Sequence, residues 1–199
     1  MIDDVILFTV YLAVLLLLAW PVGRYMAKVY NLEKTWLDPV LKPLERAVYA
    51  VSGVDAAKEM NWRQYAVALV WFNLLGLLLV FLIEVLQNRL PLNPENLAPV
   101  APWHLAFNTA VSFMTNTNWQ AYGGETTMSY FTQMAALTVQ NLLSAATGMA
   151  VAVALIRGFV RKTGQFIGNF WVDMVRGVIY ILLPLSMVLT VLLVQQGVI

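Results

Sequence analysis

The sequence predicts an all-α membrane protein of four transmembrane helices and one short re-entrant helix. Two observations lead there. The 199 residues are 60% hydrophobic and only 12% charged, with mean hydropathy +0.71, whereas a soluble domain is near half apolar and a quarter charged. The apolar residues also gather in four stretches, each close to the roughly 20 residues a spanning helix needs. The same arithmetic excludes a disordered chain. A net charge of +1 excludes a nucleic-acid binder, which needs a cationic footprint for phosphate. With no cysteine and a single histidine, His104, neither a disulfide framework nor a thiolate or multi-histidine metal site is expected.

The first stretch runs from Val5 to Val22 and continues as a helical pattern through Arg24 and Lys28. Asp3 and Asp4 stand where a cleavable signal peptide would carry basic residues, so it reads as a retained helix. The second runs from Ala66 to Ile83. The third, from about Met128 to Ile156, holds the most polar residues: Thr138, Gln140, Asn141, Ser144 and Thr147. The fourth runs from Val178 to Val194, with Pro184 expected to kink it. A fifth apolar stretch, His104 to Met114, is too short to span. It follows a loop with Pro91, Pro94, Pro99 and Pro102 and precedes a polar turn. Its length fits a core helix or a re-entrant helix. Its position between helices two and three favours re-entrant over a surface helix in an outer loop.

Basic residues set the orientation. Arg24, Lys28, Lys34, Lys42, Arg46, Lys58 and Arg63 lie between helices one and two. Arg157, Arg161, Lys162 and Arg176 follow helix three, and only Arg89 lies between helices two and three. The two basic segments are therefore expected in the cytoplasm, with the N-terminus, the short helix and the C-terminal end outside. Trp20, Trp62, Trp103 and Trp171 fall near expected helix ends, where indole prefers the interface. The segment from Tyr30 to Asn61 mixes charge with Trp36, Leu37, Leu41, Leu44 and Val48. It reads as amphipathic and lying on the membrane; a partner-docking surface is the other reading.

Residues 103–130, WHLAFNTAVSFMTNTNWQAYGGETTMSY, carry the chemistry. Helix, short helix, polar turn, helix is the layout of a cation-channel repeat. Non-helical backbone at membrane depth is tolerated only where it lines a cavity or is buried in protein. Freed carbonyls can replace the hydration shell of potassium. The C-terminal end of the short helix adds partial negative charge. Thr115, Asn116, Thr117 and Asn118 let the chain turn and supply further oxygens. Taken by spacing alone, an ordinary polar outer turn stays open, since N-T-N and G-G are common loop dipeptides.

At these residues the sequence resembles a known family. AVSFMTNTNWQAYGGETTMSYFTQMAALTVQNLLSAATGMAVAVALIRGF is similar to the first pore repeat of the potassium-binding, channel-like A subunit of the Kdp potassium-transporting P-type ATPase. The stretches EMNWRQY (59–65), LPLNPENL (90–97) and NFWVDMVR (169–176) resemble the same family. The resemblance implies a fold of an extra first helix followed by four channel-type repeats. It implies a high-affinity importer of potassium driven by a separate P-type ATPase catalytic subunit, with a small accessory subunit and often a single-span peptide. The setting would be the lipid of a bacterial inner membrane. On this reading residues 1–30 are the extra transmembrane helix, 31–63 a cytoplasmic amphipathic segment, 64–160 the first pore repeat and 161–199 the start of the second. The chain stops just after the fourth span, so it is expected to be truncated or a fragment of a longer protein.

Carried over residue by residue, TNTNWQ matches Thr115 to Gln120. Thr117 and Asn118 would offer filter carbonyls to a potassium ion, with Thr115 and Asn116 beside them. Gln120 stands at the position the family associates with ion selectivity. Gly123 and Gly124 would shape the exit turn. No ATP site is expected. The phosphate-cradling G-x-x-x-x-G-K-[ST] pattern is absent, and Arg161-Lys162-Thr163-Gly164 lacks the aspartate of the P-type phosphorylation motif. Two other readings remain: a passive homotetrameric potassium channel, disfavoured because TNTNW departs from TVGYG, and a non-conducting anchor or assembly fragment.

Five further features carry expectations. Gln140 and Asn141 should bond to the short helix or to further repeats, being costly against lipid. Ser144 and Gly148 should permit close helix packing. Glu84 should snorkel outward, with a place in a cation-attracting mouth as the lesser reading; Glu125 is the better candidate for that mouth; and His104 should cap or pack the start of the short helix.

Overall fold

The computed structural model describes residues 2–161 and 165–198, with side chains from Asp4 onward. It is all-helical. Among the described residues, four helices are long and apolar enough to cross a membrane: Asp4–Tyr30, Trp62–Arg89, Thr132–Val160 and Phe170–Gln195. Lys162, Thr163 and Gly164, three of the four residues of the R-K-T-G stretch, lie outside the described residues.

Two compact units form, Gly53–Val178 and the flanking residues up to Ser52 with those from Ile179 onward. In the flanking unit, α1 (Ile2–Tyr30) is followed by α2 (Asp38–Ser52) and, at the far end of the sequence, α8 (Leu183–Gln195). The apolar side chains of α1 stay largely exposed, as on a helix facing lipid; Leu16 and Leu17 are examples. In α2 the apolar Val40, Leu44 and Val51 are exposed, at spacings that put them on one face. On the same helix, Glu45 is buried and accepts hydrogen bonds from Tyr49 Oη (2.9 Å) and Tyr180 Oη (2.8 Å). Pro184 has no N–H, so the carbonyl four residues back loses its helical donor. That carbonyl belongs to Tyr180, and the Tyr25 hydroxyl donates to it at 2.9 Å. A π-helical segment, Gly177–Leu182, precedes Pro184. The irregularity therefore extends a full turn ahead of the proline.

In the unit Gly53–Val178, α3 (Trp62–Leu86) starts four residues before the expected Ala66. Asn61 closes a capping box: its side chain accepts from Arg63 and Gln64 N–H, and Gln64 answers the Asn61 N–H. The short helix is α4 (Trp103–Met114), 12 residues long. After the small turn α5 (Gly124–Thr127) comes a π-helical stretch, Thr132–Thr138, that leads into α6 (Val139–Val160). Helix begins at Tyr130 rather than Met128 because Met128, at φ −110 and ψ 125, is extended after α5 and Ser129 lies outside any helix. The helix α7 (Phe170–Arg176) opens the fourth span eight residues before the expected Val178. Its N-cap Asn169 accepts from Trp171 and Val172 N–H.

Packing holds α4 in place. Val80 from α3, Val100 from the loop, Ala106, Ala110 and Phe113 from α4, and Met128, Ala136 and Leu137 form one buried cluster. Three small residues in it let α4 come close to its neighbours. At the other end of the unit the stretches 59–65 and 169–176 are tied together. Met60 and Gly168 form an antiparallel bridge, Arg161 pairs with Glu59 at 2.8 Å, and Tyr65 Oη donates to Asp173 Oδ2 at 3.0 Å. Arg157 makes a two-pronged pair with the same carboxylate, at 2.6 and 2.9 Å.

Candidate functional site

The last turn of α4 and the TNTN segment behave as one construction. The N–H of Asn116 donates to Phe113 O (3.3 Å) and that of Thr117 to Ser112 O (3.0 Å). With Asn116 at φ +58, this is a Schellman end, in which a left-handed residue turns the chain back onto the helix carbonyls. Asparagine is one of the few non-glycine residues that enters that region readily. Asn118 repeats the conformation at φ +56, and its N–H also reaches Ser112 O at 3.2 Å. Ser112 itself donates to Trp119 O at 3.0 Å.

The consequence is an asymmetry. The N–H groups of Thr115, Asn116, Thr117 and Asn118 all donate into the end of α4. The carbonyls of those four residues accept no hydrogen bond from the described residues. Thr115, Asn116 and Thr117 are exposed and Asn118 is half-buried, so these acceptors are open to an approaching ion. A segment with its donors engaged and its acceptors open suits a cation and disfavours an anion. The end of α4, the negative end of the helix dipole, adds to the same sign.

Side chains complete the turn. Thr115 Oγ1 meets Val111 O at 3.0 Å and Thr117 Oγ1 at 2.9 Å. Asn116 Oδ1 accepts from Ser144 Oγ on α6 at 3.2 Å, so Ser144 acts as a brace. Asn118 Oδ1 is buried with no partner among the described residues. Beside the turn is a groove of about 580 Å³ between α3, α4 and α6. Its polar wall consists of Asn73, Thr115, Asn116, Ser144 and Thr147.

Gln120 is exposed and lies beside Tyr122, whose phenol burial pushes up to about 12, with the charge of Glu84 adding to the effect. Gly123 and Gly124 open α5. Gly123 O accepts from Thr126 and Thr127 N–H, and Gly123 has φ −85. It is therefore outside the region that demands glycine; the two left-handed positions of this loop are asparagines.

Among the surroundings the clearest departure from expectation is Glu84. Glu84 does not snorkel. It is fully buried, because the loop folds over it and Val100 N–H binds its carbonyl at 3.1 Å. Gln140 does not bond to α4. It packs against Gly76 of α3, where an added Cβ would sit 2.6 Å from Gln140 Oε1. Asn141 is exposed. Gly148 has open space where close packing was expected. Pro102 rather than His104 occupies the N-cap of α4, and the His104 ring packs edge-on against Trp103 at 6.0 Å. Glu125 is exposed in α5.

One residue was missed altogether. Gln87, fully buried at the end of α3, donates to the carbonyls of Ala98 and Thr127 and accepts from Ser129 N–H and Thr132 Oγ1. A single amide thereby pins the loops on both sides of α4. Its only sequence signal is a glutamine directly after an apolar helix.

This fold and turn define a class: an all-α, multi-pass membrane protein with a short helix between two long ones that ends in a neutral, carbonyl-rich turn. Comparison with known proteins narrows the class. The family model described as potassium-transporting ATPase A subunit matches residues 9–199, and the chain belongs to that family. Similar curated proteins include one from Sorangium cellulosum, 60% identical over 189 residues, which cover 95% of this chain and 32% of that protein. Another, from Pseudomonas entomophila, is 56% identical over 195 residues, covering 98% and 34%. A third, from Solidesulfovibrio magneticus, is 58% identical over 188 residues, covering 94% and 32%. Each is named potassium-transporting ATPase potassium-binding subunit. The chain thus spans about a third of the length of these relatives.

Proposed function

We propose that residues 115–120 are part of a potassium-selecting filter in the potassium-binding and translocating subunit of an ATP-driven, high-affinity importer. On this reading α4 is re-entrant, Thr117 and Asn118 offer their carbonyls, Thr115 and Asn116 frame them, and Gln120 stands at the outer end of the ion path. Gly123 and Gly124 form the exit. The observation that carries the proposal is the asymmetry of the turn: every N–H of 115–118 is engaged, and every carbonyl is open among the described residues. The relatives' printed name supports the choice of potassium. A neutral ring of carbonyls suits a large, weakly hydrated monovalent cation. Other pore segments would come from a subunit of the relatives' length. Energy would come from a separate P-type ATPase catalytic subunit, accompanied by a small accessory subunit and a single-span peptide. The location is a bacterial inner membrane with the N-terminus outside, which the basic residues between the first and second long helices support.

The test is Gln120→Arg in the full-length subunit within its complex. Two unit charges about 4 Å apart repel by about 4 kcal/mol at an effective dielectric near 20. Side-chain movement and water reduce this, so the expected loss of apparent potassium affinity is roughly ten- to several-hundredfold. The measurement is uptake, or potassium-stimulated ATPase activity, across potassium concentrations with rubidium as comparison; the maximal rate should change less. Wild-type affinity and ion preference in the variant would make 115–120 an ordinary outer loop.

A further inference from the structure

The flanking unit holds a second site of different character. A pocket of about 640 Å³ lies at the C-terminal end of α1 and is lined by Arg24, Lys28 and Lys34, with no carboxylate among its lining residues. The carboxylates nearest in sequence to Lys34 are Glu33, which is exposed and accepts from Asn31 Nδ2 at 3.4 Å, and Asp38, which accepts from Thr35 N–H at 3.1 Å and Thr35 Oγ1 at 2.6 Å. None of the three cations has a carboxylate within ion-pair distance among the described residues. Trp20 and Trp36 bracket the pocket and are 67% and 78% exposed, and the Arg24 guanidinium lies over the Trp20 ring at 4.3 Å. Trp20 stands 16 residues after Asp4, or about 24 Å along the helix at 1.5 Å per residue. That distance places it near the edge of a hydrocarbon core roughly 30 Å thick.

An adjoining groove continues the pocket. An apolar groove of about 260 Å³ shares Pro21, Tyr25 and Trp36 with it and runs on along Val22, Pro184 and Leu185. A cationic cup at the interface that opens into an apolar channel matches a molecule with an anionic head and a hydrocarbon tail. We propose that this unit binds an anionic phospholipid, with its phosphate among Arg24, Lys28 and Lys34 and an acyl chain in the groove of Pro21, Tyr25, Trp36 and Leu185. Phosphate is the shared chemistry of a lipid head and of the free ion; the groove favours the lipid.

The test uses the full-length protein in detergent, titrated with phosphatidylglycerol, phosphatidylcholine or inorganic phosphate, with bound molecules counted by native mass spectrometry. Juxtamembrane cations attract anionic lipid headgroups electrostatically. The triple variant Arg24→Gln, Lys28→Gln, Lys34→Gln should therefore bind phosphatidylglycerol about ten- to a hundredfold more weakly, with phosphatidylcholine unchanged. The charge-keeping variant Arg24→Lys, Lys28→Arg, Lys34→Arg should retain most binding. Leu185→Trp, which fills the groove, should weaken the lipid and not inorganic phosphate. Wild-type phosphatidylglycerol binding in the glutamine variant overturns the proposal. So does equal loss in the charge-keeping variant, since charge would not be what binds. Unaltered lipid binding in Leu185→Trp, together with competition by inorganic phosphate, overturns it in favour of a free-phosphate site.

Discussion

Asn116 has two separable duties. Its backbone holds a left-handed conformation at φ +58 that ends α4, and its side chain accepts from Ser144 at 3.2 Å. Glycine adopts that conformation freely and alanine does so at a cost of about 1–2 kcal/mol. The braced hydrogen bond contributes about 0.5–1.5 kcal/mol. Asn116→Gly should therefore lose only the brace, while Asn116→Ala should lose both. The expected order of thermal stability in detergent is wild type, then glycine, then alanine, with the two variants about 1–2 kcal/mol apart. Equal stability of the two variants would mean that the turn does not need a left-handed residue there. The TNTN motif pointed to this position. It did not distinguish asparagine as an ion ligand from asparagine as a helix terminator, because one residue type serves both and only φ separates them.

Among the elements, α3, α6 and α7 meet at a buried ion pair. Arg157 and Asp173 have side-chain exposures of 15% and 3% and lie 2.6 Å apart, with Tyr65 donating to the same carboxylate. Removing one member of such a pair leaves an uncompensated buried charge and costs about 3–5 kcal/mol, whereas replacing both by apolar groups is often near neutral. Arg157→Met should thus destabilise the protein strongly, and Arg157→Met with Asp173→Leu should recover most of the loss, read as unfolding midpoints in detergent. A double variant no better than the single one would show that Arg157 acts elsewhere. In the sequence Arg157 counted only as a marker of the cytoplasmic side, since 16 residues part it from Asp173 and no local period joins them. Gly76 was equally illegible: its lack of a side chain matters only because Gln140 packs against it across two helices.

At the scale of the whole molecule the distribution of basic residues leads us to expect Lys42 inside and the loop around Glu95 outside. Residues 1–199 contain no cysteine, so none needs removing from this part of the protein. Single cysteines at 42 and 95, treated with a membrane-impermeant maleimide on intact cells, should react at 95 and stay unlabelled at 42 until the cells are opened. Labelling of 42 from outside would reverse the topology and carry the proposed filter to the wrong face.

The class of this protein followed from the sequence by itself: four apolar helices, a short one between the second and third, and a neutral polar turn behind it. Those features depend on composition and local period, and the length of an apolar run is set by the thickness of a membrane. Tertiary structure decided which polar groups meet. Glu84 went under a loop instead of to the interface, Gln87 became the pin for the segments on either side of α4, and Tyr25 took up the carbonyl that Pro184 left without a donor. The buried Glu84 carboxylate has no hydrogen-bond partner among the described residues. For Gln87 and the Tyr180 carbonyl the cost of an unmet polar group inside an apolar protein is local, but the partner that meets it comes from a distant part of the chain. That partner is fixed only when the helices pack.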